Sequence, residues 1–314
     1  MALLSNALAT YEAFGNREDL SDEIYRIDPI DTPFLSNVGQ EKAQAVNHEW
    51  QTQALAPAAS NAQFEGDVIT AVAVTPTVRL GNIAQISRKT AAVTGTQEAV
   101  RHAGRGDEMA YQEMLKGMEL KRDMESILLA NQAKVVGADG TARVLASVLS
   151  WIGTNTSKTG TDPATTDGLA IRTDGAQRNF SEINLKAVLK LCFDNGGRPD
   201  LIMAGSFNKQ MFSTFTGRST PIENTSTRTI IAAVDMYESD FGRMRVIPNR
   251  FQRARDVLVL QSDMWACAYL NGRKFVSFEL AKTADADTKV VLSEYTLVAR
   301  NQRSSGIVAD NNTA

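Results

Sequence analysis

Between two strand-like flanks lies a stretch of about 23 residues, Leu55 to Thr77, that is long for a connection inside a compact domain. The flanks alternate polar and apolar residues, His48-Glu49-Trp50-Gln51 on one side and Ile83-Ala84-Gln85-Ile86-Ser87 on the other. That is the period of half-buried β-strands. The middle begins with small, weakly polar residues, Ala54 to Asn61, and continues as a β-branched run, Val68-Ile69-Thr70-Ala71-Val72-Ala73-Val74. Loops of this length are uncommon inside compact domains and are usually functional or disordered. The segment reads as an extended β-hairpin or loop. Its Val68, Ile69, Val72 and Val74 invite strand pairing or apolar docking with another chain, which makes them candidate contacts between subunits. Exposed apolar spots of this kind predict self-association through many modest interfaces.

The chain before this loop carries short apolar spots (Ile24, Ile27, Ile30, Phe34, Leu35) separated by Asp28-Pro29 and Thr32-Pro33. Residues preceding proline avoid the α region, so an extended arm is expected to about Gln40. After the loop, Asp107 is a good N-cap for the clearest helix of the sequence, expected over residues 107–134. Its polar stripe is Glu108, Lys116, Glu119, Asp123 and Ser126, with Ala110, Met114, Met118, Leu128 and Leu129 opposite and Lys121–Glu125 as an i,i+4 pair. Gly117 falls mid-helix, at a cost of up to about 1 kcal/mol against alanine that a bend or close packing would explain.

Residues 153–179 are rich in Gly, Thr, Asn, Ser and Asp and read as a surface loop between two lobes. The second lobe opens with a helix capped by Ser181, with Ile183, Val188, Leu189 and Cys192 on one face, and stopped by Asn195-Gly196-Gly197. A short buried strand, Leu201 to Ala204, and a short helix, Asn208 to Phe215, follow. The remainder is β-like, with strands near Arg243–Ile247, Val257–Leu260, Trp265–Leu270, Phe275–Leu280 and Val290–Val298, and Asn271-Gly272 signals a hairpin turn.

Composition offers little chemistry. The net charge of −3 argues against global nucleic-acid binding. The first forty residues are acidic, with Glu12, Glu18, Asp19, Asp22, Glu23, Asp28 and Asp31 facing only Arg17 and Arg26; charge alone favours a solvated edge. Cys192 and Cys267 fall in apolar runs and read as core residues, without a disulfide framework. No apolar run reaches the roughly 18 residues of a membrane span, and the start lacks the features of a signal peptide, so synthesis in the cytoplasm is expected. His48 and His102 have no metal-ligand spacing. No nucleophile elbow, P-loop or dinucleotide fingerprint occurs, and Asp240-Phe241-Gly242 reads as a hairpin turn, not a kinase motif. No catalytic, cofactor or metal site is expected. Arg243, Arg245, Arg250, Arg253 and Arg255 cluster within thirteen positions. Guanidinium groups grip carboxylates and phosphates, so this cluster could hold DNA or a neighbouring subunit; pairing with acidic groups within or between subunits is the simpler reading.

In order, these elements are an extended arm, a long β-loop, one long helix, an α/β lobe and a terminal β region. Specific stretches add to them: Asp19-Leu20-Ser21-Asp22-Glu23-Ile24-Tyr25-Arg26-Ile27, Gly95-Thr96-Gln97-Glu98-Ala99-Val100, Asp107-Glu108-Met109-Ala110-Tyr111-Gln112, Pro248-Asn249-Arg250-Phe251 and Glu294-Tyr295-Thr296-Leu297. Over nearly its whole length the chain resembles a subgroup of tailed-phage major capsid proteins of the Hong Kong-type fold. The resemblance implies an α+β subunit with an N-arm (1–45), an extended E-loop (46–104), a P-domain (105–150 and 262–303) built on the spine helix, a surface loop (151–180) and an A-domain (181–261 and 304–314). It further implies hexamers and pentamers closing into an icosahedral head around double-stranded DNA bound without sequence specificity, located in the virion. The arm starts at Met1 without a helical prefix, so a separate scaffolding protein is expected, alongside a portal and decoration proteins. An encapsulin-type compartment shell is the alternative, and a soluble enzyme a remote one.

Overall fold

The computed structural model describes residues 28–69, 71–215, 235–282 and 284–314. The acidic residues from Glu12 to Glu23, and Ile24 and Ile27, lie outside the described residues. The first described element corrects the expectation of a wholly extended arm. Helix α1, Pro33–Asn37, follows Thr32, and Pro33 sits at its start, where a missing N–H costs nothing. The pre-proline rule holds for Thr32 but does not forbid a helix that begins at the proline itself.

Strand β1 (Gly39–Ala43) leads into β2 (Asn47–Thr52), and after the long loop come β3 (Val78–Ile83) and β4 (Gln85–Thr94). A short helix, α2 (Gly95–Ala99), precedes the long helix α3, Glu108–Leu128. The Asp107 carboxylate accepts from the Ala110 N–H at 2.8 Å, as its N-cap role requires. The helix ends six residues before the expected Lys134. Residues from Val135 to Val144 instead form a small hairpin, bridged at Val135–Val144 and at Ala138–Thr141 around Asp139-Gly140. Asp-Gly between paired residues is the signal that marks it. The buried side of α3 is also rotated from the expected one. Met109, Leu120, Met124 and Leu128 are buried, and so are Glu108 and Glu125, while Ala110 and Met114 are exposed. Glu125 therefore forms no ion pair with Lys121; its partners lie elsewhere in the chain.

Helix α4 (Val148–Trp151) and strand β5 (Thr156–Ser157) come next, then α5 (Glu182–Asp194), β6 (Leu201–Ala204) and α6 (Ser206–Ser213). Ser181 caps α5, and Gly196, at φ +80°, lets the chain turn back so that the Gly197 N–H reaches the Cys192 carbonyl at 2.8 Å. Leu185 completes the buried face of α5 with Val188, Leu189 and Cys192; Ile183 instead points to solvent. The last strands are β7 (Met236–Ser239), β8 (Gly242–Pro248), β9 (Val257–Leu260), β10 (Trp265–Leu270), β11 (Val276–Glu279), β12 (Ala286–Ala299) and β13 (Gly306–Val308).

Two larger sheets result. One is centred on β12, with β10 (and beyond it β1) and β11 along one edge and β4 along the other; the second runs β5-β13-β9-β6-β8-β7. Strands β6 and β9 are buried on both faces, which explains their continuous apolar runs. Leu201, Met203, Leu258 and Leu260 point into a core shared with α1, α3, β10 and β12. Ile202, Ala204, Val257 and Val259 point the other way, beneath α5 and α6. Cys192 and Cys267 lie in these cores, where burial pushes both thiols up to about 12.

Asn271-Gly272 is a turn but not a hairpin. Strands β10 and β11 pair with successive parts of the same edge of β12, Tyr295 to Ala299 and Lys289 to Leu292. The chain makes an outward kink and resumes its direction. Buried Glu294 holds that kink: it accepts from Arg273 Nε at 2.7 Å and from Arg143 Nη2 at 3.0 Å.

Residues 151–180, expected as a surface loop, are tied to the chain's end through buried charge. Asp310 accepts from the N–H groups of Thr159, Gly160 and Gly175 and pairs with Arg255 at 3.1 Å. Asp174 pairs with Arg253 and Arg255, and Arg172 pairs with Asp162 at 2.8 Å while almost fully buried. Arg253 also lies 3.2 Å from Asp256. Burial of Asp256 outweighs the pull of Arg253 and Arg172 and pushes its carboxyl up to about 6.

Two outcomes are expected. A Cβ added at Gly117 meets nothing within 4 Å, so Gly117→Ala should stabilise the subunit by about 0.5–1 kcal/mol in chemical denaturation. Asp256 binds its proton more tightly folded, near pH 6, than at the ordinary carboxylate value of 3.8. Its ionised form thus weighs against folding above pH 6, and the penalty fades as pH falls toward 4. Wild type should accordingly gain stability relative to Asp256→Asn when denaturation is followed from pH 7.5 down to 4.5.

Candidate assembly surface

The long loop stands on a fixed root, and the root explains how it can project. Strands β2 and β3 pair antiparallel from Asn47–Ile83 to Thr52–Val78. At their base Asn82 is fully buried, and its amide is satisfied on both sides. Nδ2 donates to the carbonyls of Ala146 and Leu297 at 3.0 and 2.8 Å, and Oδ1 accepts from the N–H groups of Ala146 and Ile83 at 2.8 and 2.9 Å. Lys134 Nζ donates to the Gly81 carbonyl at 2.7 Å and lies over the Trp151 ring, which packs against Trp50 at 5.4 Å between centroids. Gly81 eases the close approach of the two strands here, since a Cβ would lie 2.7 Å from Glu49 Cγ and 3.2 Å from the His48 carbonyl oxygen.

Past Thr52 the ladder stops. Gln53 Nε2 reaches the Thr75 carbonyl at 3.0 Å, and a turn closes at the tip, where the Asp67 N–H donates to the Phe64 carbonyl at 3.2 Å with Gly66 at φ +81°. Leu55, Phe64, Val68, Ile69, Val72 and Val74 are each between 83% and 97% exposed. The β-branched run has strand chemistry but forms no strand among the described residues. Apolar side chains this exposed gain by burial against another surface, and the unpaired backbone around them can accept a strand.

The five arginines divide. Arg253 and Arg255 meet at Asp174 within the subunit. Arg243 pairs with Glu238 across the β7–β8 hairpin at 3.0 Å, Arg245 donates to Asn37 Oδ1 at 2.9 Å, and Arg250 is exposed. The sheet of β4, β12 and β11 has one face under α3 and an outer face carrying Ile86, Phe278 and Leu280, each partly exposed. The outer position of Ile86 and Phe278 follows from strand alternation, but which face α3 covers is not readable from the sequence. No group of three or more His, Cys, Asp or Glu residues suited to a metal ion occurs among the described residues. His48 lies 3.7 Å from Glu41, and His102 Nε2 lies 3.1 Å from Gln97 Nε2.

Comparison with known proteins gives this architecture its place. The family described as SU10 major capsid protein matches residues 6–312. A curated relative, the major capsid protein of Escherichia phage Phieco32, is 28% identical over 95% of this chain and 95% of its own. Among solved structures, the chain from Mycobacterium phage Adephagia aligns with a TM-score of 0.63 at 10% identity, covering 95% of this chain and 96% of that one. The structure titled asymmetric unit of bacteriophage PhiM1 mature capsid aligns with a TM-score of 0.59 at 10% identity, covering 97% of each chain. The structure of Phage G gp27 major capsid proteins and gp26 decoration proteins aligns with a TM-score of 0.56 at 12% identity, covering 99% of this chain and 100% of that one. The α+β capsid fold is common to them, and the family match is to phage shells, not to encapsulin compartments. This chain belongs to the SU10 major capsid protein family.

Proposed function

We propose that the subunit assembles as hexamers and pentamers into a closed icosahedral head around double-stranded DNA, with residues 53–77 laid across the adjacent subunit of the same capsomer. The supporting observation is the pairing of a buried, fully hydrogen-bonded root at Asn82 with a loop whose six large apolar side chains are almost wholly exposed. An isolated monomer gains nothing from such an arrangement; a neighbour that buries the tip does. In this reading the N-arm is 1–45, the E-loop 46–104, the P-domain 105–150 and 262–303, and the A-domain 181–261 and 304–314. Arg243, Arg245 and Arg250 are the arginines left facing outward for contacts with a neighbour or with packaged DNA. Scaffolding, portal and decoration functions fall to separate proteins. The subunit is made in the host cytoplasm and ends in the virion, and its role is structural, not enzymatic.

Replacing residues 55–77 with a tight turn should leave circular dichroism and the melting transition near those of wild type while closed shells disappear from electron micrographs. Intact shells from the shortened chain would show that the loop is decoration. Global unfolding would show that it belongs to the subunit's own core.

A further inference from the structure

Three distant parts of the chain converge on one buried carboxylate. Glu125, near the end of α3, is fully buried. Its Oε1 accepts from the Phe34 N–H at 2.6 Å and from Asn249 Nδ2 at 2.7 Å, and its Oε2 accepts from the Leu35 N–H at 2.9 Å. Phe34 and Leu35 belong to α1, and Asn249 follows β8 at the end of the six-stranded sheet. The Asn249 amide has a fixed orientation, because its Oδ1 accepts from the Phe251 N–H at 2.9 Å, while its backbone N–H holds the Ala204 carbonyl of β6. A second bond crosses the same junction, from Arg245 of β8 to Asn37 at the end of α1.

This is an expensive way to fill a core. No lysine, arginine or histidine lies within ion-pair distance of Glu125 among the described residues, and every group bonded to it is a neutral donor. Burial raises its pKa against the opposing hydrogen bonds from Leu35, Phe34 and Asn249. A well-packed apolar residue would occupy the site at lower cost. What an apolar residue lacks is direction. The carboxylate holds a helix, a helix N-terminus and a strand end at fixed distances and angles, with α1 wedged between the two sheets' lobes.

We propose that Glu125 is a positioning residue for assembly. With Asn249 and α1 it fixes the angle between the lobe built on α3 and the five-stranded sheet and the lobe built on the six-stranded sheet, and so sets the curvature of the shell. The inference rests on the shell reading above. Its physical logic is amplification: a small angular error repeated at every subunit leaves an edge that does not meet itself.

The test exploits the defined donor and acceptor. Asn249→Leu fills the site at similar volume without a donor, and Asn249→Ala removes the side chain outright, so that either ends the link even if one of them folds poorly. Met124→Ala is the control for simple loss of stability, since Met124 is buried beside Glu125 on the same helix. In electron micrographs of assembled protein, the Asn249 variants should give open or mixed-diameter particles, whereas Met124→Ala should keep the wild-type diameter at an equal or larger loss in melting temperature. Normal shells from both Asn249 variants, or equally irregular shells from Met124→Ala, would each overturn the role. If wild type itself forms no shells, the shell reading fails. Hydrogen exchange then still decides the coupling: the Phe34 and Leu35 amides should exchange about tenfold faster in Asn249→Ala, and unchanged exchange would refute it.

Discussion

Strand β12 is the constraint from which the rest of the subunit follows. Its fourteen residues carry hydrogen-bond ladders on both edges: β10 and β11 in succession on one, and β4 on the other over ten residue pairs. Because β4 returns from the long loop, this ladder fixes where the loop leaves the subunit. Because Leu297 of β12 also accepts from Asn82, the β2–β3 hairpin is locked to the same strand. Helix α3 then lies across one face of this sheet, with Lys89 of β4 on Asp123 at 2.7 Å and Lys289 of β12 on Glu113 at 3.1 Å. These partly exposed pairs contribute little to stability individually. The rotation of α3 is set by its buried face, Leu120, Met124 and Leu128, which brings Glu125 to face α1 and Asn249.

The second lobe uses buried charge in place of a long strand. Its strands have between two and seven residues, too short to define a register alone, and the segment from Thr154 to Arg178 has almost no regular structure. Asp310 supplies the missing order. Held at φ +62°, it gathers three backbone N–H groups and Arg255 on one carboxylate, and these bonds hold it ionised against the cost of burial. Arg253, Arg255, Asp174 and Asp256 extend the network to the turn before β9. Such networks contribute modestly to net stability but discriminate strongly between correct and incorrect arrangements, since a single missing partner leaves a charge buried and unpaired.

Much of this was legible in the sequence because it depends on local pattern. The alternation around His48 and Ile83, the Asp107 and Ser181 caps, the Gly196 stop and the β6 and β9 runs all appear where residue chemistry places them. Lys121–Glu125, the outward placement of Glu108, the inward placement of Ile183 and the hairpin at Asn271-Gly272 each looked plausible within their own segment. Glu108 instead bonds to its neighbours Arg105 and Gln112, and Ile183 lies exposed at the start of α5. The other two were decided by partners far along the chain: Phe34 and Asn249 for Glu125, and Glu294 for the kink after Leu270. The arginine cluster shows the same limit, since nothing in its thirteen residues indicates that two members meet Asp174 while three remain outside. Asn82 was missed for a different reason. A single asparagine between strand residues carries no signal until the carbonyls of Ala146 and Leu297 are brought to it.

The division between a satisfied interior and an unsatisfied loop bears on how a shell can form without error. Six apolar side chains gain by burial, but a segment nearly four times as long must be ordered to bury them, and the two contributions are of the same order. Docking of one loop therefore yields little net free energy, whatever its exposed area suggests. Its fixed root lowers the entropic cost, because the β2–β3 ladder has already set both ends and only the tip remains to be ordered. In the proposed capsomer such a contact would count when several act together, yet break and re-form while a single misplaced subunit is still reversible. Rigidity in that capsomer would belong to the subunit, at Asn82 and Glu125, where an angular error would be repeated, and weakness to the tip, where an error must be undone.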